Sequence, residues 1–193
     1  MTDHTIGYLN DPDQGIKKNQ FSNRLDSIRA IIFLFHGRGG NGHAIQQALG
    51  QYVLVDDVLI VAPTAASGSR HPHKFDVPVT QNQPWLDSAI NWIHQEVMSL
   101  VNTGHSLDKI LIGGFSQGGC LALEYALRYP QRYGGIFGLS CGVIGRLGQR
   151  NALNARALQD TPIFLGCNEF DSWVPREKFA VNAHFFSIEC AQN

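Results

Sequence analysis

Short apolar runs alternate with amphipathic segments along this chain. Ile31 to His36 is a continuous run that ends in His36-Gly37-Arg38-Gly39-Gly40. Apolar residues at successive positions predict a strand buried on both faces, as inside a parallel sheet. Gly42 to Leu49 predicts a short helix, and Val58 to Ala62 a strand stopped by Pro63. Thr64 to Gln83 is a long polar loop rich in Pro, Ser and His, and loops of that length in a compact domain are usually functional or mobile. Pro84 opens a helix in a position suited to proline. Trp85, Ala89, Ile93, Val97 and Leu100 recur along it at helical spacing and predict one face packed on the sheet.

The alternation continues. Lys109 to Gly113 reads as a strand and Cys120 to Arg128 as a helix closed by Tyr129-Pro130. Gly134 to Ser140 and Pro162 to Cys167 are further strands, with a loop and a short helix around Ala152 to Leu158 between them. Pro175 to Gln192 fits a last helix. With no internal repeat and no boundary in composition, residues 1–193 read as a single three-layer α/β domain with a mainly parallel sheet.

Composition narrows the function classes. The formal net charge is -1, which gives no electrostatic footprint for nucleic acid or an anionic membrane. Met1 to Asn23 is polar and lacks the apolar core of a signal peptide. The longest purely apolar run, Ala30 to Phe35, is far too short to span a bilayer. Cys120, Cys141, Cys167 and Cys190 are scattered, as free thiols of a cytoplasmic protein would be. The expectation is therefore a cytoplasmic protein with no nucleic-acid partner and no integral membrane association.

Candidate chemistry concentrates at Gly114-Phe115-Ser116-Gln117-Gly118. A serine between a strand and a helix, flanked by glycines, is the pattern of a nucleophile elbow. The glycines let two backbones pass closely and the hydroxyl stands above the sheet. The alternative is a tight turn whose serine caps the next helix. A serine hydroxyl is a poor nucleophile at neutral pH. It needs a base, an acid to orient that base, and donors for the developing oxyanion. The N–H of Gln117, the residue after the nucleophile, is one donor, and the loop His36 to Gly40 is placed to supply the second. The acid is expected in the loop after a later strand. Asp171 follows Pro162–Cys167 there, with Glu169 as its competitor, whereas Asp160 precedes that strand at the wrong end of the sheet.

These residues carry a family resemblance. The pieces His36-Gly37-Arg38-Gly39-Gly40, Ala62-Pro63, Gly114-Phe115-Ser116-Gln117-Gly118-Gly119, Leu139-Ser140-Cys141-Gly142 and Gly166…Asp171…Val174-Pro175 resemble the phospholipase/carboxylesterase family of α/β-hydrolases, which includes bacterial carboxylesterases and acyl-protein thioesterases. The resemblance runs from about Ile31 to Pro175. It implies an α/β-hydrolase fold and a serine esterase, with Ser116 as nucleophile, Asp171 as acid, and the Arg38 and Gln117 amides as oxyanion hole. It implies small carboxylic ester, thioester or lysophospholipid substrates, and no metal or organic cofactor.

The base departs from the family pattern, in which a histidine follows one further helix and strand. His184 is the one histidine after Asp171, with twelve residues between the two. A crossover to a parallel strand takes about a dozen residues by itself. His184 is thus expected on the crossover helix, and the sheet is expected to lack its last strand, as in a C-terminally truncated domain. His43, His71 and His73 are the possible substitutes, while His4, His94 and His105 read as surface residues. The pair His71-Pro72-His73 also admits a metal, but a zinc site needs three or four ligands and the pair supplies two. A serine ester hydrolase is the first reading. A hydrolase-like scaffold that binds esters without turning them over is the alternative.

Overall fold

The structure is a computed structural model that describes residues 18–20, 28–146, 158, 160–168, 171, 173 and 174. Strands β1 (Lys18–Gln20), β2 (Ala30–Phe35), β3 (Val58–Val61), β4 (Ile110–Phe115), β5 (Gly135–Leu139) and β6 (Ile163–Gly166) form one sheet in the order β1-β3-β2-β4-β5-β6. The pairs β3–β2, β2–β4, β4–β5 and β5–β6 are parallel. β1 runs antiparallel to β3. Three residues carry no usable alternation, which is why this strand was not legible in the polar N-terminal stretch.

Helices α1 (Gly42–Gly50), α2 (Trp85–Asn102) and α3 (Gln117–Arg128) connect the strands. α1 is capped by Asn41, whose side chain accepts from the Ala44 N–H at 2.8 Å. Ile45 on α1 packs with Leu34, Val58 and Ile60, while α2 and α3 join Ile31, Phe33 and Ile112 in the larger core. The sheet thus has apolar cover on both faces, and the α/β-hydrolase expectation holds for its architecture.

Two expectations for α2 need correction. The helix starts at Trp85 with Pro84 as the residue before it. Trp85 is also half exposed, and the buried stripe is Leu86, Ala89, Ile90, Ile93, Val97 and Leu100. That stripe follows i, i+3, i+4, i+7 spacing, and Trp85 lies one position off it. His94 is likewise not a plain surface residue, because its ring stacks on Tyr129 at 3.8 Å. α3 begins at Gln117, three residues earlier than its apolar pattern indicates, so Gly118 and Gly119 lie inside it. The Arg128 guanidinium ties α3 to α2 by pairing with Glu124 and with Asp87.

The loop between β3 and α2 contains only two short 3-10 turns, Ala66–Gly68 and Val79–Asn82. Despite its polar sequence it buries Arg70, His71 and Asn82. The expected helices around Ala152 and over Pro175–Gln192, together with His184 and Glu169, lie outside the described residues. No described helix is long and apolar enough to cross a membrane.

Candidate active site

The strand order reverses between β2 and β4. β2 leads to β3 on one side, and β4 leads to β5 on the other. In open α/β sheets ligands bind beyond the carboxyl ends of the strands at such a switch point. The glycine loop leaves β2 here and Ser116 leaves β4 here, from adjacent strands whose ends pair as Phe35 with Gly114.

Ser116 has φ 52 and ψ −119, a conformation L-residues rarely adopt. Such strain costs of order 1–3 kcal/mol and persists only where the surroundings over-determine it. They do so here. The Ser116 N–H donates to the Leu139 carbonyl at 2.8 Å, and its carbonyl accepts from the Cys120 N–H at 3.0 Å. A Cβ on Gly114 would lie 2.3 Å from the Phe35 carbonyl oxygen, and one on Gly118 only 2.1 Å from the same atom. Glycine at both positions lets β4, α3 and the end of β2 converge under the serine. Ser116 is half-buried and the preceding Phe115 is exposed.

The glycine loop lies against this turn. A Cβ on Gly37 would sit 3.3 Å from the Ser116 Cβ. The loop is pinned by His36, which is buried. Its Nδ1 pairs with the Gly37 carbonyl at 2.7 Å and its Nε2 accepts from the Ala65 N–H at 3.0 Å. These partners require the neutral Nδ1–H tautomer. Burial, then the nearby Arg70 charge, push the His36 pKa down to about 4 against the opposing Gly37 carbonyl. Gln117, the first residue of α3, has no acceptor for its N–H within the helix. Among the described residues the Arg38 N–H has no acceptor either, although its neighbours Gly39 and Gly40 donate to Gly68 and Gly37.

Asp171 stands where the chain leaves β6. Its Oδ1 accepts from the Trp173 N–H at 2.8 Å and the Val174 N–H at 3.1 Å. Partial burial would raise its pKa, but those two bonds and one from the Ser140 hydroxyl outweigh it and hold the carboxyl below the usual range. Ser140 follows β5, and its own N–H donates to the Gly166 carbonyl at 2.7 Å. The ends of β5 and β6 and the Asp171 turn are therefore fastened together. Sequence reasoning met Ser140 only inside a family motif and assigned it no contact.

Among the described residues no histidine is hydrogen-bonded to the Ser116 hydroxyl. His43 is exposed on α1 and His73 is exposed in the long loop. His71 is buried, and its Nδ1 faces the His73 carbonyl at 2.9 Å and Asn82 Oδ1 at 3.2 Å. Burial first, with Arg38 and Arg70 adding to it, lowers the His71 pKa to about 4 against the opposing bonds to His73 and Asn82. No group of three His, Cys, Asp or Glu side chains among the described residues is arranged to hold a metal.

The family model described as phospholipase/carboxylesterase matches residues 21–193. Acyl-protein thioesterase 1 of Saccharomyces cerevisiae is 31% identical over 175 residues, 79% of this chain and 74% of that protein. Lysophospholipase-like protein 1 of Mus musculus is 31% identical over 127 residues, covering 58% of this chain and 53% of that one. The crystal structure of a phospholipase/carboxylesterase from Dyadobacter fermentans superposes with a TM-score of 0.79 at 30% identity, over 94% of this chain and 84% of its own.

Proposed function

This chain belongs to the phospholipase/carboxylesterase family, and on that premise we propose that it is a cytoplasmic serine hydrolase of small carboxylic esters or thioesters. Ser116 is the nucleophile. It attacks the acyl carbonyl, the N–H groups of Gln117 and Arg38 receive the oxyanion, and the alcohol or thiol leaves with a proton from the base. Water then releases the acid from the acyl-enzyme. Asp171, kept ionised by the Trp173 and Val174 amides and the Ser140 hydroxyl, orients the base and balances its charge.

The observation that carries this reading is Ser116 at φ 52 and ψ −119 between β4 and α3, with the glycine loop against it. A serine that merely capped a helix would bond its side chain to the helix N-terminus, and Ser116 makes no side-chain cap bond. Ser116→Ala is the direct test. It should reduce hydrolysis of p-nitrophenyl butyrate by at least about 10³-fold and abolish labelling by a fluorophosphonate. Unchanged hydrolysis by that variant would sink the esterase reading.

His184 is the base to test first, although the sequence places it on the crossover helix rather than beside Ser116. A pH–rate profile rising near pH 6–7 that is lost in His184→Ala assigns it. The second reading, an ester-binding scaffold, draws on the lack of a described histidine bonded to Ser116. It is the reading to adopt if the unmodified chain neither turns over p-nitrophenyl butyrate nor takes the fluorophosphonate label.

A further inference from the structure

The side chains of Arg38 and Gln117 meet at one peptide of the long loop. Arg38 Nη2 and Gln117 Nε2 each donate to the His71 carbonyl, both at 2.9 Å. The Ser69 hydroxyl donates to that same oxygen at 2.9 Å. Arg38 Nη1 also donates to Ser69 Oγ at 3.1 Å, and Gln117 Nε2 lies 3.2 Å from it. A further Arg38 bond goes to the His73 carbonyl, and Gln117 Oε1 accepts from the Arg70 N–H at 3.0 Å. One residue stands after β2 and the other opens α3, so 79 positions separate two side chains that converge on one carbonyl.

We propose that Ser69 and the His71 carbonyl form a knot that sets the spacing of the two oxyanion donors, with the Arg38 and Gln117 side chains as its arms. This rests on the serine-hydrolase reading. Each residue would then act twice, its backbone N–H facing the oxyanion and its side chain fixing where that N–H points. An oxyanion hole works by preorganisation, with donors at about 2.7–3.1 Å from where the charge develops, so small displacements are expensive in rate. Hydrogen bonds to a charged donor such as Arg38 are the stronger arms of such a knot. The 64–83 loop, far from Ser116 in sequence, thereby becomes part of the positioning apparatus.

Substitution separates the two roles, because alanine keeps the backbone N–H and removes only the arm. Arg38→Ala and Gln117→Ala should each lower kcat on p-nitrophenyl butyrate roughly 10- to 100-fold, with KM changed less than about 3-fold. Affinity for an alkyl trifluoromethyl ketone, whose serine adduct carries the oxyanion, should fall by the same factor as kcat/KM. Arg38→Lys should recover part of the loss, since an ammonium can reach one of the three acceptors. The double variant should lose about as much as the worse single one, because both cut the same knot. Losses that multiply, or that fall in KM with ketone affinity kept, overturn the proposal. Should Gln117→Ala, a buried position, not fold, exposed Arg38 and half-buried Ser69→Ala decide the matter alone. A chain in which Ser116→Ala keeps full activity fails the hydrolase reading. A chain dead at Ser116→Ala yet indifferent to Arg38→Ala fails only this inference.

Discussion

At the elbow, main chain presses on main chain; across the 64–83 loop, polar side chains do the holding. Gly114 and Gly118 face the Phe35 carbonyl with no room for a methyl group. The loop is instead held by side-chain hydrogen bonds, from Arg38 and Gln117 outside it and from Ser69, Arg70, His71 and Asn82 within it. The first region gains its geometry from steric exclusion, which tolerates no added volume. The second gains it from many directional bonds, each worth about 0.5–1.5 kcal/mol net and more when a buried partner is orphaned. The elbow should therefore fail at single positions, while the loop should weaken by degrees.

Gly118→Ala should give the largest effect. Its methyl group would have to displace the end of β2 or lift α3 from the sheet, and both are backbone movements. We expect a cost beyond about 5 kcal/mol, at the exceptional end for one substitution. Expression with recovery of soluble, cooperatively melting protein is the readout. A well-folded Gly118→Ala with ordinary activity would show that the close approach is not what holds the elbow.

Acid should strain both regions, since each contains one buried neutral histidine. His36 pins the glycine loop, His71 sits within the long loop, and both have pKa values lowered from 6.5 to about 4. A histidine whose folded pKa lies below its unfolded one contributes stability at neutral pH, and that contribution is lost as pH falls from about 6.5 towards 4. Each can contribute up to about 3 kcal/mol, at 1.36 kcal/mol per unit. The melting temperature should fall steeply across that window. Neither ring should titrate above pH 5 when followed by NMR, and a ring titrating near 6.5 would release that histidine from the account.

Asn82→Ala tests the loop alone. Asn82 is fully buried, accepts from the His73 N–H at 2.9 Å and His71 Nδ1 at 3.2 Å, and donates to the Lys74 carbonyl at 3.1 Å. Removing it leaves those groups short of a partner, at a cost of about 2–3 kcal/mol. The protein should still fold, with a lower melting temperature and reduced kcat. A loss as complete as that of Gly118→Ala would erase the distinction between the two regions.

The same distinction explains what could be read in advance. Strands β2 to β6, helices α1 to α3 and the elbow at Ser116 rest on local signals: apolar runs, helical spacing, and a serine between glycines. The 64–83 loop read only as polar and long, because its organisation depends on Arg38 and Gln117, which are distant in sequence. Nothing around Arg70 in the sequence marks it as buried, yet its guanidinium reaches the His36 and Pro63 carbonyls and lies 5.2 Å from the Phe35 ring centroid. The start of α3 was missed because glycines lower helix propensity, and close packing overrode that preference. Asp171 is proposed as the acid from its position after a strand. Its link to Ser140 was not legible, because that contact joins two loops with no shared periodicity.

The smallest expected effect lies where the long loop meets the Asp171 turn. The Lys74 ammonium sits 4.9 Å from the Trp173 ring centroid, and Trp173 is largely exposed. An exposed cation–π pair is worth only about 0.5–1 kcal/mol. Asp171 itself is held by the Trp173 and Val174 N–H groups and by Ser140, none of which depends on the Trp173 ring. Lys74→Gln should thus lower stability by at most about 1 kcal/mol and leave kcat within about 2-fold. Trp173→Leu, which keeps the same backbone donor to Asp171, should behave alike. A large drop in kcat for both variants would mean that the two loops are coupled through this contact, and that the Asp171 turn depends on side chains as the 64–83 loop does.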